Sequence, residues 1–285
     1  MLQDSDLTSL ERALCSAAAA GRLLDSRCRR PDEDDPARGQ AWGKDRQIRA
    51  QLLRQLLTGD GCLDQAFGQP VAVRLRGVSV SGRLNLGGRT VRCPLELYGC
   101  YLGGRLDLAK TEASDISLRG SHLAQRLSAR RLRLTGGLNL TGGFRCYGRV
   151  DLRDGHIGGS LDCDGATLSN PGGRALNADG LIVDGYLFLR SAEVTGEVWL
   201  LGARVGRQLD CGKATLSTPG GRALNADALT VDRDLLLRSA EVTGEVRLIE
   251  ARVGGQLDCE KATLSNPGGD VLTADGLSPT VVASA

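Results

Sequence analysis

Three copies of one segment decide the fold: LSNPGGRALNAD begins at Leu168, LSTPGGRALNAD at Leu216 and LSNPGGDVLTAD at Leu264, so the repeat period is 48 residues. A chain that copies itself at a fixed spacing builds the same structural unit several times. Because each unit of such a chain packs mainly on its neighbours in sequence, the pattern predicts a solenoid.

A shorter period of eleven residues lies inside the longer one and is clearest in Ala192, Ala203 and Ala214. A pair of apolar residues, separated by one position, recurs at the same spacing. It occurs eighteen times, with one step of ten residues, one of twelve, and a step of fifteen wherever four residues are inserted. The pairs begin at Val73, Leu84, Leu95, Leu106, Ile116, Leu127, Leu138, Val150, Leu161, Leu176, Leu187, Val198, Leu209, Leu224, Leu235, Val246, Leu257 and Leu272.

Each eleven-residue period contains two short segments in which inward and outward residues alternate. Alternation at a period of two is typical of strands rather than helices, and the glycines and polar residues between the segments predict corners. Two periods therefore make one four-sided coil of about 22 residues. The pattern predicts an all-β solenoid over residues 71–277, a parallel β-helix of about nine coils. At ~4.8 Å per coil the rod is about 40 Å long.

The repeat resembles the pentapeptide-repeat superfamily, right-handed quadrilateral β-helices built on the five-residue unit A-[DN]-L-x-x. The segments A-E-V-T-G at Ala192, A-R-V-G-R at Ala203 and A-T-L-S at Ala214 match one face of that unit, and the intervening face has six residues. Over nearly its whole length the chain is also similar to actinobacterial repeat proteins labelled oxidoreductase or membrane-associated oxidoreductase. These share GEVRLIEARVGGQLDC (Gly244 to Cys259), LSNPGG and an R-x-I-R-A-x-L-L segment.

Residues 1–70 precede the repeats and contain two stretches with apolar residues at helical spacing. The charged, proline-containing stretch between them predicts a loop or a partly disordered linker. We expect the helices to cap the first coil, because a bare β-helix end exposes strand edges; the alternative is a separate helical hairpin that binds a partner. The helical positions are Leu7, Leu10, Leu14, Ala18 and Leu23 in the first stretch and Ile48, Leu52, Leu53, Leu56 and Leu57 in the second.

Residues 278–285 form a C-terminal tail that ends in VVASA. This stretch is short, apolar and β-prone, and no charged edge protects it. Such an end recruits other strands, so the sequence predicts a homodimer through the C-terminal coil.

The four-residue insertions are the candidate site. Each places Pro before Gly, the order that favours a type II turn. Because they recur two coils apart on the same corner, they predict a row of three protruding loops, flanked by Arg174 and Arg222. One interpretation is a tolerated surface insertion; the other is a ridge that a protein partner grips. The residues are Asn170, Pro171, Gly172, Gly173 and Arg174; Thr218, Pro219, Gly220, Gly221 and Arg222; and Asn266, Pro267, Gly268 and Gly269.

Two columns of reactive residues run along the rod. Cys163, Cys211 and Cys259 share one inward column, two coils or roughly 10 Å apart, which is too far for a disulfide or a shared metal ion. We expect them to be small core residues. Asp162, Asp210 and Asp258 occupy an outward column at the same spacing, too far apart to act on one substrate atom, so the sequence favours a solvated face.

Nothing in the sequence forms a catalytic constellation. The two histidines, His122 and His156, have no second ligand at metal spacing. No G-x-G-x-x-G motif follows a strand and opens a helix, so the dinucleotide-binding signature of an oxidoreductase is missing. The sequence predicts no catalytic residue, cofactor or metal, and an enzyme remains the third alternative.

Pentapeptide-repeat proteins that imitate DNA bind and protect DNA gyrase, and that resemblance implies an acidic rod. Residues 71–285 instead carry 26 Lys and Arg against 23 Asp and Glu. This balance disfavours DNA mimicry, and interleaved charges with few aromatic residues disfavour strong DNA binding.

Neither a membrane span nor a secretory signal is predicted: no run of eighteen apolar residues occurs, and the start MLQDSDL is acidic. The odd number of cysteines, nine, fits a reducing compartment. The sequence therefore predicts a cytoplasmic, non-catalytic scaffold for protein interaction. Topoisomerase protection with antibiotic resistance is the alternative.

Overall fold

Parallel strands wound into stacked coils form most of the molecule in the computed structural model, which describes residues 2–60 and 63–282. The strands belong to a 17-stranded and a 15-stranded sheet. The first contains Leu23–Asp25, Val73–Arg76, Leu95–Tyr98, Glu112–Ala113, Ile116–Ser117, Arg133–Leu134, Leu138–Asn139, His156–Ile157, Leu161–Asp162, Ile182–Val183, Leu187–Phe188, Arg204–Val205, Leu209–Asp210, Thr230–Val231, Leu235–Leu236, Arg252–Asp258 and Ser278–Val282. The second contains Gln47–Arg49, Ser79–Ser81, Leu84–Asn85, Tyr101–Leu102, Leu106–Asp107, His122–Leu123, Leu127–Ser128, Arg145–Tyr147, Val150–Asp151, Thr167–Asn177, Glu193–Trp199, Thr215–Asn225, Glu241–Arg247, Thr263–Ser265 and Leu272–Thr273.

Each coil has four sides, and each side contributes to one parallel ladder. We number the faces in chain order: face 1 starts at Val73, face 2 at Ser79, face 3 at Leu84 and face 4 at the bridge from Thr90 to Glu112. The prediction of a parallel β-solenoid with about nine four-sided coils is confirmed. Successive partners on face 1 are Val73, Leu95, Ile116, Leu138, Leu161, Leu187, Leu209, Leu235 and Leu257.

The core is the predicted stack of inward apolar pairs. All of these residues are buried except three in the last described coils, namely Cys259, Ala274 and Leu272, which is 46% exposed. Leu, Val, Ala and Cys dominate because the inside of a coil leaves no room for many large rings. The one fully buried aromatic side chain in the described residues is Phe144.

Two of the four corners of every coil are left-handed. The corner between faces 1 and 2 and the corner between faces 3 and 4 each form a column of residues with positive φ. Nine of these corner residues are not glycine, and their φ values lie between 53° and 58°. The first column is Gly77, Gly99, Gly120, Gly142, Gly165, Ser191, Lys213, Ser239 and Lys261; the second is Gly88, Lys110, Arg131, Asp154, Gly180, Gly202, Ala228, Glu250 and Gly276.

Three α-helices lie at the N-terminal end: α1 is Ser9–Ala19, α2 is Ala50–Thr58 and α3 is Leu63–Phe67. The apolar face of α2 is fully buried and closes the first coil, where the sequence predicts a cap. Thr8 and Glu11 form a capping box at the start of α1, and Gly59 ends α2 with φ 70°. In the part of the chain that the structure describes, no helix combines the length and apolar character needed to cross a bilayer.

The segment between α1 and α2 is ordered and extends the sheets. Leu23–Asp25 pairs with face 1 and Gln47–Arg49 with face 2. Leu23 and Ile48, predicted to be helical, are therefore strand residues, and Leu7 lies just before α1. Asp4–Asp6, Pro36–Ala41 and Lys44–Arg46 form short 3-10 helices.

Arg46 joins the segment between α1 and α2 to the solenoid. Its side chain is buried, pairs with Asp34 at 3.0 Å, stacks on Trp42 and donates a hydrogen bond to the carbonyl of Gly77 at 2.9 Å. Charge-assisted contacts of this kind hold such a segment in place, although the buried Nη2 of Arg46 has no hydrogen-bond partner among the described residues. The stretch predicted as a loop or a partly disordered linker thus contains turns, loops and two short 3-10 helices.

At the other end, Ser278–Val282 pairs with Arg252–Asp258 and continues the first sheet. Residues 278–282 of the predicted tail are thus a strand of the last coil. The last three residues of VVASA lie outside the described residues.

Candidate functional site

The three insertions lie on one edge of the rod, at the corner between faces 2 and 3. Intervening coils, Glu193–Trp199 and Glu241–Arg247, separate them, so neighbouring insertions are two coils or roughly 10 Å apart. We call residues 170–174, 218–222 and 266–270 the loop row. The first two loops are bulges within the long strands Thr167–Asn177 and Thr215–Asn225, and the third is a turn.

The tips of the loops point into solvent. The three prolines and the glycines that follow them are exposed. A Cβ placed on Gly172, Gly220 or Gly268 would meet no atom within 4 Å. Their φ values of 72°, 72° and 83° fit the third position of a type II turn, as predicted from the Pro-Gly order.

A side-chain hydrogen bond to the backbone bridges each of two loops. Asn170 donates from Nδ2 to the carbonyl of Arg174 at 2.9 Å, and Asn266 donates in the same way to Asp270 at 2.7 Å. The middle loop carries Thr218 at this position, and its buried Oγ1 has no hydrogen-bond partner in the described structure. The middle loop is therefore held less firmly by side-chain bonds.

Glycines in the intervening coils make room for the loops. A Cβ on Gly196 would lie 2.6 Å from the carbonyl oxygen of Asn170, and one on Gly244 would lie 2.7 Å from that of Thr218. Both residues also have a strongly positive φ, 115° and 125°. The loops thus fold over glycine corners that the sequence analysis did not connect with them.

A cation–aromatic cluster flanks the row. The guanidinium carbon of Arg174 lies 3.4 Å from the ring centroid of Trp199, and that of Arg222 lies 5.9 Å from it. The indole Nε1 donates to Glu197 at 2.9 Å. Trp199 was missed in the sequence, although its outward place between the inward residues Val198 and Leu200 marks it as a surface tryptophan.

Carboxylates balance the arginines of the row. Arg174 pairs with Asp179 at 3.2 Å, and Arg222 lies 3.7 Å from Glu245. Between the second and third loops runs an open groove of about 350 Å³, lined on its charged side by Glu197, Arg222, Glu245 and Asp270. The arrangement exposes backbone, aromatic and charged groups to solvent along this open groove.

The column of Asp162, Asp210 and Asp258 has a structural role. In each case Oδ1 accepts a hydrogen bond from the backbone N–H two residues later, at 3.1, 2.8 and 2.9 Å. Asn177 and Asn225 do the same on face 3. These are Asx turns, which start a corner, so the residues are tied to the backbone rather than merely solvated. Asp258 is buried and paired with Arg238.

The cysteine column is confirmed as part of the core. Cys163 and Cys211 are fully buried, and Cys259 is half-buried. Burial raises the pKa of the Cys211 thiol to about 12 and also raises the pKa of the Cys163 thiol, which leaves both as inert thiols. Among the described residues, no group of three or more His, Cys, Asp or Glu side chains is placed to hold a metal ion.

The two histidines lie on different faces. His122 on face 2 is buried between the rings of Tyr101 and Tyr147, with centroids 5.6 and 5.2 Å away. Burial lowers its pKa, and Arg145 lowers it further. His156 on face 4 is exposed and bonded to Asp184 at 2.9 Å. They do not share a site.

No protein-family model, curated protein or solved structure matches this chain.

Proposed function

We propose that this chain is a non-catalytic interaction scaffold of the pentapeptide-repeat type, which presents the loop row to a protein partner in the cytoplasm. The observation that carries the proposal is the alignment of three exposed Pro-Gly tips at one spacing on one edge. Exposed loops on a rigid scaffold are where proteins place binding groups.

The neighbourhood of the loops supports the same proposal. Trp and Arg are the residue types enriched at interface hot spots, and Trp199 and Arg174 lie stacked beside the row. The rod behind them is held by ladder hydrogen bonds on all four faces. A rigid presenting surface lowers the entropy cost of binding.

The test is an exchange of loops for intervening-coil sequence. Residues 169–175 are replaced by Thr-Gly-Glu, the segment found at residues 195–197, and the corresponding replacement is made at the second and third loops. This removes the four inserted residues and restores glycine at the corner, so the swapped chain keeps its register. Circular dichroism confirms that the variant folds.

Both proteins are then used to capture partners from the native host lysate. We expect the wild type to retain a partner that the loop-swapped chain loses. The matched control is Arg204→Gln on face 4, which alters exposed charge away from the loops and leaves capture unchanged. A partner set that is the same for wild type and loop-swapped chain contradicts the proposal, and gyrase subunits in that set favour topoisomerase protection.

We also propose self-association through the C-terminal coil, where Leu272 is 46% exposed. Multi-angle light scattering over a wide concentration range measures it directly. We expect a dimer that Leu272→Ser weakens, and a monomer at all concentrations excludes this interface.

A further inference from the structure

A second surface feature lies far from the loop row, where the segment between α1 and α2 meets the first coils. It is an open groove of about 490 Å³ at the corner between faces 1 and 2. Arg27 from the N-terminal segment and Arg76 and Arg119 from the solenoid line it, together with the ring of Tyr98. The loop row begins only at the fifth coil, so the two surfaces are separate.

Arg76, Tyr98 and Arg119 stand on three successive coils of the same ladder. Arg76 pairs in register with Tyr98, and the carbonyl of Arg119 accepts a hydrogen bond from Gly99, the residue after Tyr98. The guanidinium carbon of Arg76 lies 5.3 Å from the ring centroid of Tyr98. Coils at ~4.8 Å intervals thus place Arg76 and Arg119 on the coils before and after that of Tyr98, with the Arg119 side chain lying over Gly142 of the next coil.

In the described part of the chain, Arg76 and Arg119 form no direct ion pair, although Asp25 lies in register beside Arg76 and the Tyr98 hydroxyl donates a hydrogen bond to Glu96 at the edge of this groove. Its single lining carboxylate, Asp34, is held by Arg46 at 3.0 Å, and Arg27 pairs with Asp25 at 2.8 Å. Among the residues that the structure describes, no carboxylate forms an ion pair with Arg76 or Arg119. In contrast, Arg74 on the same strand as Arg76 pairs with Glu96 at 3.1 Å.

Three glycines, which have no side chain beyond hydrogen, line the floor of the groove. Gly99, Gly120 and Gly142 are consecutive members of the left-handed corner column. The same column carries Lys213 and Lys261 in later coils, so the backbone there accepts side chains. Above Gly99 the nearest atom to an added Cβ is Cγ of Pro36 at 3.7 Å, which leaves a depression, whereas the space above Gly142 is taken by the Arg119 side chain, with Cγ 2.8 Å from such a Cβ.

We propose that this groove binds a small molecule that carries an oxyanion, with its phosphate or carboxylate group held by Arg76 and Arg119 and its body resting against Tyr98. Guanidinium groups recognise planar and tetrahedral oxyanions through paired charge-assisted hydrogen bonds. The aromatic ring supplies an apolar surface next to those donors. Glycine corners let the ligand approach the backbone closely.

Isothermal titration calorimetry at constant ionic strength tests the oxyanion part, with inorganic phosphate, phenyl phosphate and citrate as probes. We expect saturable binding at one site for phosphate or citrate, and whichever binds identifies the oxyanion. The double variant Arg76→Gln/Arg119→Gln loses about tenfold or more in affinity. The control is Arg204→Gln/Arg252→Gln, which removes the same charge from exposed arginines of face 4.

The comparison of probes tests the aromatic part. We expect phenyl phosphate to bind more tightly than phosphate, and Tyr98→Leu to abolish that difference while the affinity for phosphate stays. Equal affinities for the two probes in the wild type overturn the assignment of the ligand body to Tyr98. The absence of saturable binding by all three probes, or an equal loss in the control variant, overturns the site itself.

Discussion

The non-glycine corner residues with positive φ are the main sites of backbone strain among the described residues. An L-residue other than glycine in this region costs about 1 kcal/mol or more, and nine corners carry one. Ladder hydrogen bonds hold these corners: the backbone N–H of Lys213, for example, donates to the carbonyl of Arg238 at 2.8 Å. Hydrogen bonds between neighbouring coils, rather than the local sequence, therefore hold these residues at positive φ.

Ala228→Gly is expected to raise the free energy of unfolding by about 0.5–1 kcal/mol, because Ala228 is exposed at φ 53° and glycine relieves its strain. Urea denaturation measures the change. Ala20→Gly is the control, since Ala20 is exposed at φ −87° and glycine there only adds unfolded-state entropy. A loss of stability in both variants would show that the corner carries no such strain.

Alkaline pH should weaken the fold through the buried thiols. Burial raises the pKa of Cys211 from 9.0 to about 12, so the folded chain keeps a proton that the unfolded chain releases. The stabilisation is complete below pH 9 and is lost as the pH rises toward the folded pKa. Urea midpoints at pH 7.5, 9 and 10 should fall in that order, and Cys211→Ala should reduce the slope.

At the scale of elements, Asx turns start the corner after several of the strands on faces 1 and 3. Asp210 accepts from the backbone N–H of Gly212 at 2.8 Å. Asn139, Asp162 and Asp258 accept in the same way in other coils of face 1, whereas Phe188 and Leu236 occupy this position in two coils that lack the contact. Asp and Asn both carry the acceptor that the turn requires. The acidic column of Asp162, Asp210 and Asp258 therefore reflects the need for a hydrogen-bond acceptor at these turns.

Asp210→Ala is expected to lower the free energy of unfolding by about 1 kcal/mol, because the N–H of Gly212 loses its acceptor. Asp210→Asn keeps the acceptor and should retain most of the stability, as Asn225 does in its own coil. Thermal denaturation of the two variants side by side provides the comparison. Equal destabilisation by Ala and Asn would assign the effect to charge instead.

The inward pairs could be predicted because burial imposes a period of two along each strand, and the coil count followed from them. The loop row could be located because an insertion interrupts that period. The stacking of Arg174 on Trp199 could not, since it joins side chains of neighbouring coils whose reach depends on the bulge. The positive φ at the corners Lys110 and Glu250 could not be predicted either, because neither residue type favours positive φ by itself.

At the scale of the molecule, the rod is a linear array in which each coil contacts mainly its neighbours. Stability in such arrays is a sum of unit and interface terms. The 48-residue unit returns the chain to the same corner after two coils, so whole units can be removed without altering the register of what remains.

Deletion of residues 182–229, which joins Leu181 to Thr230, should give a folded chain whose rod is shorter by roughly 10 Å. Small-angle scattering measures the length, and urea denaturation should show a cooperative transition at lower stability. Deletion of residues 182–224 is the control, because it breaks the register and should unfold the C-terminal coils. A folded product of equal stability from both deletions would contradict the unit assignment.

Because every second coil from the fifth onward carries a loop, the number of 48-residue units sets the number of loops on the rod. Every added unit brings one further loop at a constant distance from the last, and no existing residue has to change. A partner with matching periodic contacts gains avidity in steps, since each extra contact forms at high effective concentration. If the loop row binds a partner as proposed, in-frame duplication of this segment would change binding strength through the number of loops, while point mutation would change the strength of each contact.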